Sequence, residues 1–519
     1  MSPTHYLGIE LGSTRIKAVL VDSSLTTVAT GSSTWENQLV DGWWSYSLEA
    51  VWAGLREAYA HLVASWSRDH DGPPVIGGLG VSAMMHGYLA FDEAGELLVP
   101  FRTWRNTRTE TASRQLTEAL AFTIPQRWSA AHLYQAVLDG EAHVGRIGFL
   151  TTLAGYVHWR LTGRKVLGIG DASGMFPIDS ARATWDAARL ARVQALLDAH
   201  GAGVDLAEVL PDVVAAGGQA GQLTEAGARL LDPTGGLPAG LPVCPPEGDA
   251  GTGMVATNAV APKTGNVSAG TSIFAMIVLE RPMARLHPEI DLVTTPAGDP
   301  VAMVHCNNGA SEIDAWAKVF GQFAARAGQP LEGADLFALL FGAALEGQTD
   351  GGGLVTYNYL AGEPITGLAA GRPLIVRTPD SRLDLPNLMR SLIMGSFATL
   401  SLGLELLAAE NVAVESMVAH GGIFATAGVA QRLLAAALGT PVSVAATAAE
   451  GGAWGMAVLA AYAGGGGDLG LTDFLSRRVF ADAPVTSVTP DPADVSGYRR
   501  FLDAFRRGLP LQTVAVEAC

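Results

Sequence analysis

The sequence contains little cysteine. Only three of its 519 residues are cysteines, Cys244, Cys306 and Cys519, and no two of them have the spacing of a paired site. This distribution excludes a C-x-x-C metal or redox site and is typical of proteins from a reducing compartment. Residues 1–5 have neither the basic nor the apolar region of a signal peptide. We therefore expect a cytoplasmic protein.

Positive charge is also scarce. The chain has 33 Lys and Arg residues against 50 Asp and Glu residues, which gives a formal net charge of −17. Such a balance argues against binding of nucleic acid through a basic face. The most apolar window, residues 392–409, contains Ser396, Ser401 and Glu405. A membrane span needs about 20 predominantly apolar residues, so we expect a buried helix there and no membrane partner.

Apolar residues and glycine, by contrast, are abundant. Hydrophobic residues make up 49% of the chain, and its 62 glycines are spread along the whole length. A chain of this size is too long for one hydrophobic core, so we expect two large domains. The dispersed glycines indicate many turns rather than a low-complexity tail.

Apolar periodicity and turn residues predict a mixed α/β protein. The predicted helices are residues 49–66, 150–161, 386–409 and 431–438, followed by a final large helix that begins at Glu450. The predicted strands are residues 75–82, 241–244, 412–419 and 442–444, with a hairpin at residues 88–99. Residues 170–174 are predicted to form a loop.

The N-terminal stretch predicts a hairpin with a turn of small residues. Residues 6–9 and 16–21 have the composition of strands, and the turn at residues 10–14 contains Gly12, Ser13 and Thr14. Glycine allows a tight turn and close approach to a ligand. The hydroxyls and the backbone N–H groups of such a turn can donate to a phosphate. An ordinary hairpin on a sheet is the alternative.

The same pattern recurs in the second half of the chain. Residues 265–279 again consist of a strand, a turn with Gly270, Thr271 and Ser272, and a second strand. The two turns are separated by about half the chain, a spacing that gene duplication would produce. Duplicated hairpins in facing domains could hold one polyphosphate from both sides.

Two groups of polar residues follow predicted strands. Met85 and His86 come directly after residues 75–82, and the loop at residues 101–108 contains Trp104, Arg105 and Asn106. Ligand-binding loops of α/β sheets lie after strands, so we interpret both groups as recognition elements. The alternatives are a buried core histidine at position 86 and a solvated loop whose arginines pair with surplus carboxylates.

Asp249 lies among small residues at a predicted strand-to-helix turn, residues 245–253, where its carboxylate would be accessible to a ligand. It could also cap the following helix, and the two roles are compatible. Further along, Gly421 and Gly422 occupy another such junction, where they would let a flat ring lie against the backbone. A simple tight turn is the alternative for this glycine pair.

Taken in order, these motifs resemble the FGGY family of carbohydrate kinases, and within it the xylulokinases most. The series is I-x-L-G-S/T, M-H-G, W-x-N-x-R, D-A-S-G, G-D-A-G, S-x-G-T-S, G-G and E-G-x-A-x-G-x-A, and it covers nearly the whole chain. The resemblance implies two ribonuclease H-like domains of the actin/Hsp70/sugar kinase type, with ATP and sugar meeting in an interdomain cleft. Residues 1–256 would carry the sugar site, the first phosphate hairpin and the catalytic Asp. Residues 257–519 would carry the second phosphate hairpin and the adenosine site.

The resemblance also implies roles for individual residues. Asp249 matches the catalytic base, and Glu10 and Asp249 are the expected metal-associated carboxylates. The expected sugar contacts are Met85, His86, Trp104, Arg105, Asn106 and Asp249. The expected nucleotide contacts are Gly12, Ser13, Thr14, Lys17, Gly270, Thr271, Ser272, Gly421, Gly422 and Phe424. The implied co-substrate and cofactor are ATP and Mg²⁺.

The chain departs from the family pattern at three places. Glu10 stands where the family usually has Asp, and Ala250 stands where xylulokinases usually have Asn. The stretch from Trp104 to Arg108 differs from the usual W-N-D-x-R. The changes near the expected sugar site put the particular sugar in question and leave the kinase assignment intact.

The sequence thus predicts an ATP-dependent kinase acting on a small ketose, with D-xylulose as the first candidate. Kinases for L-ribulose, L-xylulose or a polyol such as glycerol are alternatives, and so is a non-kinase ATPase of the actin/Hsp70 type. Such an ATPase would not need Met85, His86 or the aromatic and arginine residues of the loop at residues 101–108. A homodimer is plausible from the family alone.

Overall fold

The computed structural model of the protein describes residues 5–445, 451–465, 469–481 and 485–519. The chain divides into two compact units. The first comprises Met1–Val260, Asp291–Val301 and Ala449–Ala483, and the second comprises Ala261–Ile290, Ala302–Ala448 and Pro484–Cys519. Two shorter segments beyond residue 256 thus pack within the first unit. The sequence-based assignment of the sugar and adenosine sites to residues 1–256 and 257–519 stays a prediction.

The strands are short and occur throughout the described residues. In chain order they are β1 His5–Leu11, β2 Arg15–Val21, β3 Thr27–Thr34, β4 Gln38–Val40, β5 Trp43–Ser45, β6 Ile76–Ala83, β7 Leu89–Phe91, β8 Phe149–Thr151, β9 Val166–Gly168, β10 Ile178–Asp179, β11 Thr184–Trp185, β12 Asp212–Val214, β13 Glu247–Gly248, β14 Thr264–Ala269, β15 Ile273–Val278, β16 Ile290–Thr294, β17 Pro300–Cys306, β18 Leu354–Asn358, β19 Pro373–Arg377, β20 Ser416–His420, β21 Val442–Ala445 and β22 Val485–Val488.

The helices alternate with these strands. They are α1 Leu48–Trp66, α2 Glu110–Leu120, α3 Ser129–Leu138, α4 Leu153–Thr162, α5 Ile169–Ala172, α6 Ala187–Ala199, α7 Leu206–Val209, α8 Glu225–Leu231, α9 Asp249–Ala256, α10 Ser311–Arg326, α11 Gly333–Glu346, α12 Leu385–Ala409, α13 Val429–Leu438, α14 Gly451–Gly465, α15 Leu471–Phe474, α16 Pro492–Gly508 and α17 Pro510–Ala518. Short 3₁₀ turns lie at Val144–Arg146, Gly351–Gly353, Pro364–Thr366 and Gly422–Phe424, and a π-helical turn lies at Leu475–Val479.

The central sheet of the first unit has the strand order β13-β6-β1-β2-β3. β1 and β2 form the predicted antiparallel hairpin, and β6 pairs parallel with β1 on the other side. Side chains alternate across β1: Leu7, Ile9 and Leu11 enter the core that includes α1, as period-2 patterning requires. α1 begins where the Ser47 hydroxyl accepts the N–H of Ala50 at 3.1 Å.

The opposite face of this sheet is covered by α14. A Cβ atom placed on Gly8 of β1 would lie 2.0 Å from the carbonyl oxygen of Ala453 and 2.4 Å from the backbone nitrogen of Ala457. The helix backbone therefore rests directly on the strand, and only glycine permits this approach. Gly455 of α14 meets α9 in the same way, since its Cβ would lie 2.2 Å from the carbonyl oxygen of Thr252.

The second unit repeats this topology. Six strands of its sheet follow the order β17-β15-β14-β20-β21-β22. β14 and β15 form an antiparallel hairpin, and β20 pairs parallel with β14. In both sheets the first strand of a hairpin thus lies between its antiparallel partner and a later parallel strand. The second hairpin of the sequence analysis is confirmed, and so is the prediction of two similar α/β domains.

The long apolar helix α12 is confirmed as a buried helix. Most of its residues between Asn387 and Ser401 are buried in the second unit. Among the residues described, only α12 has the length and composition of a membrane span, and 67% of its most apolar window is buried within the protein. Its apolar character is therefore explained by packing.

The predicted hairpin at residues 88–99 is confirmed in its first strand and its turn, but its second strand is reduced to a bridge. Leu89–Phe91 pairs antiparallel with Phe149–Thr151, and the residues after the Asp92 turn contribute only the single bridge between Phe91 and Leu97. Both paired segments are fully buried, whereas Glu96 is exposed and residues 97–99 are only partly buried. The acidic turn therefore forms, but the longer partner of β7 is the distant apolar segment Phe149–Thr151, which is a strand before α4.

Other boundaries also moved. Glu10, expected in the turn, lies in β1, which continues to Leu11. The expected loop at residues 170–174 begins with the helical turn α5. The strand at residues 241–244 is reduced to two bridges, at Pro242 and Val243, before the short β13. The helix predicted from Glu450 is present as α14, although Glu450 itself lies outside the described residues. It is followed by the amphipathic α16, so it is not the final large helix.

Candidate active site

Asp249 is the first residue of α9, and Gly248 occupies the N-cap position. Glu247 and Gly248 form β13, which pairs parallel with the end of β6, so the carboxyl ends of the two strands meet. There the backbone N–H of Met85 donates to Asp249 Oδ1 at 3.1 Å. The structure therefore brings two residues of the predicted site into direct contact. Gly248, and not Asp249, is therefore the N-cap residue of α9.

The carboxyl of Asp249 has a perturbed pKa. Burial raises this pKa to about 6, while the backbone N–H groups of Met85, Ala250 and Asp249 itself lower it. A carboxyl with this pKa is largely ionised at neutral pH and is a stronger base than an ordinary aspartate. The position can thus accept a proton from a hydroxyl group.

His86 follows Met85 in a left-handed conformation with a φ of 69°. Its Nδ1 lies 3.1 Å from the carbonyl oxygen of Gly174, its ring stacks 6.3 Å from that of Trp128, and only 5% of the residue is exposed. A non-glycine residue in this conformation costs backbone energy, and such strain is frequent at functional sites. Its contact with sugar stays a prediction.

Two buried carboxyls that the sequence analysis had not identified as site residues lie beside Asp249. Glu247 accepts the backbone N–H groups of Gly170 at 3.3 Å and Asp171 at 2.9 Å. Asp171 Oδ2 accepts the hydroxyl of Thr152 at 2.6 Å, and its Oδ1 has no hydrogen-bond partner. Burial is the main cause that raises the pKa of Asp171 to about 7 and that of Glu247 to about 8. The D-A-S-G motif was the only sequence signal for them.

Glu10 belongs to the same acidic group. Burial is the largest cause that raises the pKa of Glu10 to about 7, and the charge of Asp249 is the next. Two groups lower this pKa: Lys17, which lies opposite Glu10 on β2, and the backbone N–H of Ala453. A Cβ atom on Gly452 would lie 2.5 Å from Glu10 Oε1. The glycine at the start of α14 thus leaves the space that this longer carboxylate occupies.

The Gly12–Thr14 turn is held through its carbonyl groups. Trp35 Nε1 donates to the carbonyl oxygen of Gly12 at 2.7 Å, and the Tyr46 hydroxyl donates to that of Ser13 at 2.6 Å. The backbone N–H of Trp35 donates to the carbonyl oxygen of Thr14 at 3.2 Å. All three carbonyl oxygens are bound by the protein, and the backbone N–H of Gly12 donates to the carbonyl oxygen of Arg15 at 3.0 Å, so these contacts fix the shape of the turn.

The three predicted sugar contacts in the loop at residues 101–108 differ in burial and in their partners. The Asn106 amide is buried: it donates to the carbonyl oxygens of Trp44 and Thr103 at 2.9 and 3.0 Å and accepts the Trp44 N–H at 2.8 Å. The Arg105 guanidinium lies 4.7 Å from the ring centre of Trp44, and Trp104 is 36% exposed. Asn106 thus fixes the loop on the β4–β5 hairpin. The sugar contacts predicted for the three residues are untested.

In the second unit, the predicted nucleotide residues are neighbours along two paired strands. Ser268 of β14 is in register with His420 of β20, so Gly270 and Gly421 follow the same end of the sheet. Gly421 has a φ of 115°, and its Cβ would lie 2.1 Å from the carbonyl oxygen of Ala269, so only glycine fits. Gly422 is exposed, whereas the Phe424 ring is buried 6.4 Å from that of Phe397.

The carboxylates of the first unit fit the requirements of magnesium. Mg²⁺ usually keeps several waters and binds one or two protein carboxylates together with phosphate oxygens. Glu10 and Asp249 are close enough for the charge of one to raise the pKa of the other. The described residues contain no group of three or more His, Cys, Asp or Glu side chains arranged as a complete metal cage. The donor set thus suits a partly hydrated ion.

Comparison with known proteins gives matches along most of the chain. The model for the N-terminal domain of the FGGY family of carbohydrate kinases matches residues 5–256, and the model for its C-terminal domain matches residues 265–464. A xylulose kinase from Klebsiella pneumoniae is 26% identical over 219 residues. This alignment covers 37% of the present chain and 41% of the relative, so less than half of that relative's length is matched.

Solved structures share the fold over nearly the full length. A xylulose kinase from Rhodospirillum rubrum has a TM-score of 0.78 at 23% identity, with 97% of this chain and 98% of that one covered. A gluconate kinase from Lactobacillus acidophilus has a TM-score of 0.80 at 18% identity, with 98% and 97% covered. At these identities the likeness shows the fold, which is the predicted one, with two α/β domains of the sugar kinase type.

Proposed function

Because the chain belongs to the FGGY family of carbohydrate kinases, we propose that it transfers the γ-phosphate of ATP to a hydroxyl of a small ketose, with D-xylulose as the first candidate. The observation that carries this proposal is the placement of Asp249. Its carboxylate is fixed by the N–H of Met85 at the junction of β6, β13 and α9 and has a pKa of about 6. It can therefore take the proton of an attacking alcohol.

Phosphoryl transfer requires little covalent chemistry from the protein. Its transition state is loose, so catalysis consists mainly of positioning the alcohol and stabilising charge on the phosphates. Asp249 would orient the sugar hydroxyl and accept its proton as the bond to phosphorus forms. The Glu247 carboxyl of β13 accepts the backbone N–H groups of Gly170 and Asp171 in α5, which holds α5 and β13 together and so supports the position of Asp249.

The nucleotide would be bound by the predicted glycine and hydroxyl residues. In the first unit these are Gly12, Ser13, Thr14 and Lys17. In the second unit they are Gly270, Thr271 and Ser272 for phosphate and Gly421, Gly422 and Phe424 for adenosine. The support is the close approach of Gly421 to β14 and the exposure of Gly422. The buried Phe424 ring would act by supporting the glycine turn.

Glu10 and Asp249 would hold Mg²⁺ together with water and phosphate oxygens. When bound, the ion supplies positive charge that neutralises the phosphates. Lys17, the cross-strand neighbour of Glu10, lowers the pKa of Glu10 and so favours the ionised form that a cation needs. The extra methylene of Glu10 is accommodated by the glycine at position 452.

The sugar would contact Met85, His86, Trp104, Arg105, Asn106 and Asp249. Support for a xylulose-type substrate comes from the xylulose kinases among the relatives. The fold does not decide the substrate, because a gluconate kinase shares it equally well. Ala250, next to Asp249, offers no polar side chain to the sugar, so L-ribulose, L-xylulose and glycerol are kept as alternative acceptors. A sugar-independent ATPase is the alternative from another functional class.

The state of the cysteines bears on the cellular setting. Cys244 and Cys306 are free and buried, and Cys519 is free and exposed. Free cysteines agree with a reducing compartment, and we propose the cytoplasm. A homodimer stays a prediction.

A screen of acceptors tests the substrate. ADP release is measured by a coupled assay with ketopentoses, ketohexoses, polyols and gluconate, each added to the same ATP and Mg²⁺ mixture. We expect D-xylulose to give the highest kcat/KM. If D-xylulose is inert and another sugar is turned over, the xylulose assignment fails and the kinase assignment stands.

A further inference from the structure

A polar network lies beneath the Gly270–Ser272 turn in the second unit. The backbone N–H of Gly309 donates to the carbonyl oxygen of Thr271 at 2.8 Å, and that of Ala310 donates to the carbonyl oxygen of Gly270 at 2.8 Å. A Cβ atom on Gly309 would lie 2.3 Å from the carbonyl oxygen of Gly270. The segment before α10 thus supports the Gly270–Ser272 turn directly. The contact is so close that this segment cannot move any nearer to the turn.

Asn308 connects this segment to the loop after β18. Its Oδ1 accepts the N–H groups of Leu360 and Ala361 at 2.8 and 2.9 Å. Its Nδ2 donates to Glu363 Oε2 at 3.0 Å, and its backbone N–H donates to the same oxygen at 3.3 Å. Asn358 closes the network, since its Nδ2 donates to the carbonyl oxygens of Asn308 and Gly309 at 3.0 and 2.8 Å.

Glu363 is the unusual member of the network. It is completely buried, and its Oε1 has no hydrogen-bond partner. Burial raises its pKa to about 7, and only hydrogen bonds from residues 307 and 308 lower it. Burying an acid without a cation is costly, so the hydrogen bonds that this carboxyl accepts must offset that cost. What Glu363 supplies is an oxygen acceptor that receives both the main-chain and the side-chain N–H of Asn308.

We propose that Glu363, acting through Asn308 and Gly309, is a positioning residue that sets the Gly270–Ser272 turn for the phosphates of the nucleotide. The proposal rests on the proposed function in that it takes this turn as a phosphate site. Glu363 itself touches neither substrate. The chain of contacts is continuous: carboxyl to Asn308, Asn308 to Gly309 along the backbone, and Gly309 and Ala310 to the two turn carbonyls.

The test compares ADP binding in matched variants by calorimetry. Asn308→Ala removes the side chain that connects Glu363 to the segment before α10. The control is Asn387→Ala, which removes another buried amide of the same unit. Asn387 accepts the Gln348 N–H at 2.8 Å and lies far along the sequence from the turn. We expect Asn308→Ala and Glu363→Ala to weaken ADP binding at least tenfold and to raise the KM for ATP similarly. The KM for sugar should stay within twofold. Asn387→Ala should lower the unfolding temperature without changing ADP affinity.

A conservative variant separates positioning from simple stability. Glu363→Gln keeps an oxygen acceptor for Asn308, so we expect its ADP affinity to stay within about threefold of wild type. If Glu363→Ala does not fold, Asn358→Ala takes its place, because it removes the two hydrogen bonds to the carbonyl oxygens of Asn308 and Gly309 and leaves Glu363 with its own contacts. ADP affinities of Asn308→Ala and Asn358→Ala equal to that of Asn387→Ala would overturn the proposal. So would a Glu363→Gln protein as impaired as Glu363→Ala.

The outcome is separable from the proposed function. A wild-type protein that binds ADP through this network but shows no sugar-stimulated ATP consumption would refute the kinase assignment and leave the positioning role intact. A wild-type protein that phosphorylates sugar, with unchanged ADP binding in Asn308→Ala, would refute the positioning role alone. A wild-type protein that binds no ADP would refute both.

Discussion

At Asp249, burial and hydrogen bonding act on the carboxyl in opposite directions. Burial raises the pKa, and three backbone N–H groups lower it, with a net value of about 6. Glu10 and Asp171 are near enough for the charge of Asp249 to raise their pKa values. These carboxyls therefore titrate as a coupled group in which protonation of one affects the others.

The first prediction concerns pH. A base with a raised pKa is ionised above that pKa and loses its function as the pH falls through it, so kcat/KM should decline below about pH 6. The measurement is kcat/KM between pH 5 and 8.5 under saturating Mg²⁺ and ATP, with folding checked at each pH. An activity that stays constant down to pH 5 in folded protein would contradict the assignment of Asp249 as the base.

The second prediction concerns the base itself. Asp249→Ala should lower kcat by about two to four orders of magnitude, while sugar affinity changes less. Asp249→Asn should lose a similar factor, since its amide oxygen can still accept the Met85 N–H but is not basic. Asp212→Asn, a change at an exposed aspartate, is the control and should keep wild-type turnover. Near-normal turnover in Asp249→Ala would remove Asp249 from the mechanism.

The third prediction concerns Glu10. Glu10→Gln keeps the size of the side chain and removes its charge, so the Mg²⁺ concentration for half-maximal activity should rise about tenfold or more, equivalent to about 1.4 kcal/mol. Glu10→Asp should retain more activity than Glu10→Gln because it keeps the carboxylate. The measurement is a Mg²⁺ titration at fixed ATP. An unchanged Mg²⁺ requirement in Glu10→Gln would show that Glu10 does not serve the metal.

The sequence pointed to Asp249 through its small neighbours at a strand-to-helix turn, whereas a role for Glu10 followed only from the resemblance to the family. It did not predict a role for Asp171 and Glu247, whose importance comes from being buried beside Asp249. Their nearness depends on the parallel pairing of β13 with β6 and on hydrogen bonds from α5 to Glu247. Such long-range contacts leave no local pattern. Asn106 is the opposite case, because its local motif predicted a sugar contact. In the structure its amide instead hydrogen-bonds the backbone of Trp44 in the neighbouring β4–β5 hairpin.

At the scale of elements, α14 and α9 hold the acidic group in place. α14 lies on β1, which carries Glu10, and on α9, which begins with Asp249. Two glycines within the E-G-x-A-x-G-x-A segment make this packing possible. A side chain at Gly452 would collide with the Glu10 carboxyl, and one at Gly455 would collide with the carbonyl oxygen of Thr252. The sequence identified the motif but could not show that its helix packs in the first unit.

The fourth prediction follows from this packing. Gly455→Ala forces a Cβ against the carbonyl oxygen of Thr252 and should destabilise the first unit by about 1–3 kcal/mol, as overpacking does. Gly342→Ala in α11 is the matched control, since it is also a helical glycine but has no atom within 4 Å of its Cβ. It should be neutral or stabilising, because alanine is the better helix former. Urea unfolding of both proteins checks this, and equal effects would contradict the packing account.

At the scale of the whole molecule, the repeat of the hairpin was the most informative sequence feature. Gly12 and Gly270 mark equivalent turns, and in each sheet the hairpin lies beside a parallel strand. The repeated pattern is local and was therefore visible in the sequence. The sequence did not show that the chain returns to the first unit at Asp291–Val301 and Ala449–Ala483. Such a return is decided by packing between segments that are distant in sequence.

The central claim is transfer of phosphate to sugar, and the most direct test follows the γ-phosphate. Wild-type protein is incubated with Mg²⁺, ATP carrying a radioactive γ-phosphate, and D-xylulose or each alternative acceptor. We predict that label appears in a sugar monophosphate in a one-to-one ratio with ADP, and that Asp249→Asn lowers the rate of this transfer by about two to four orders of magnitude. Label found only in inorganic phosphate, at the same rate with and without every sugar, would contradict the account and favour an ATPase.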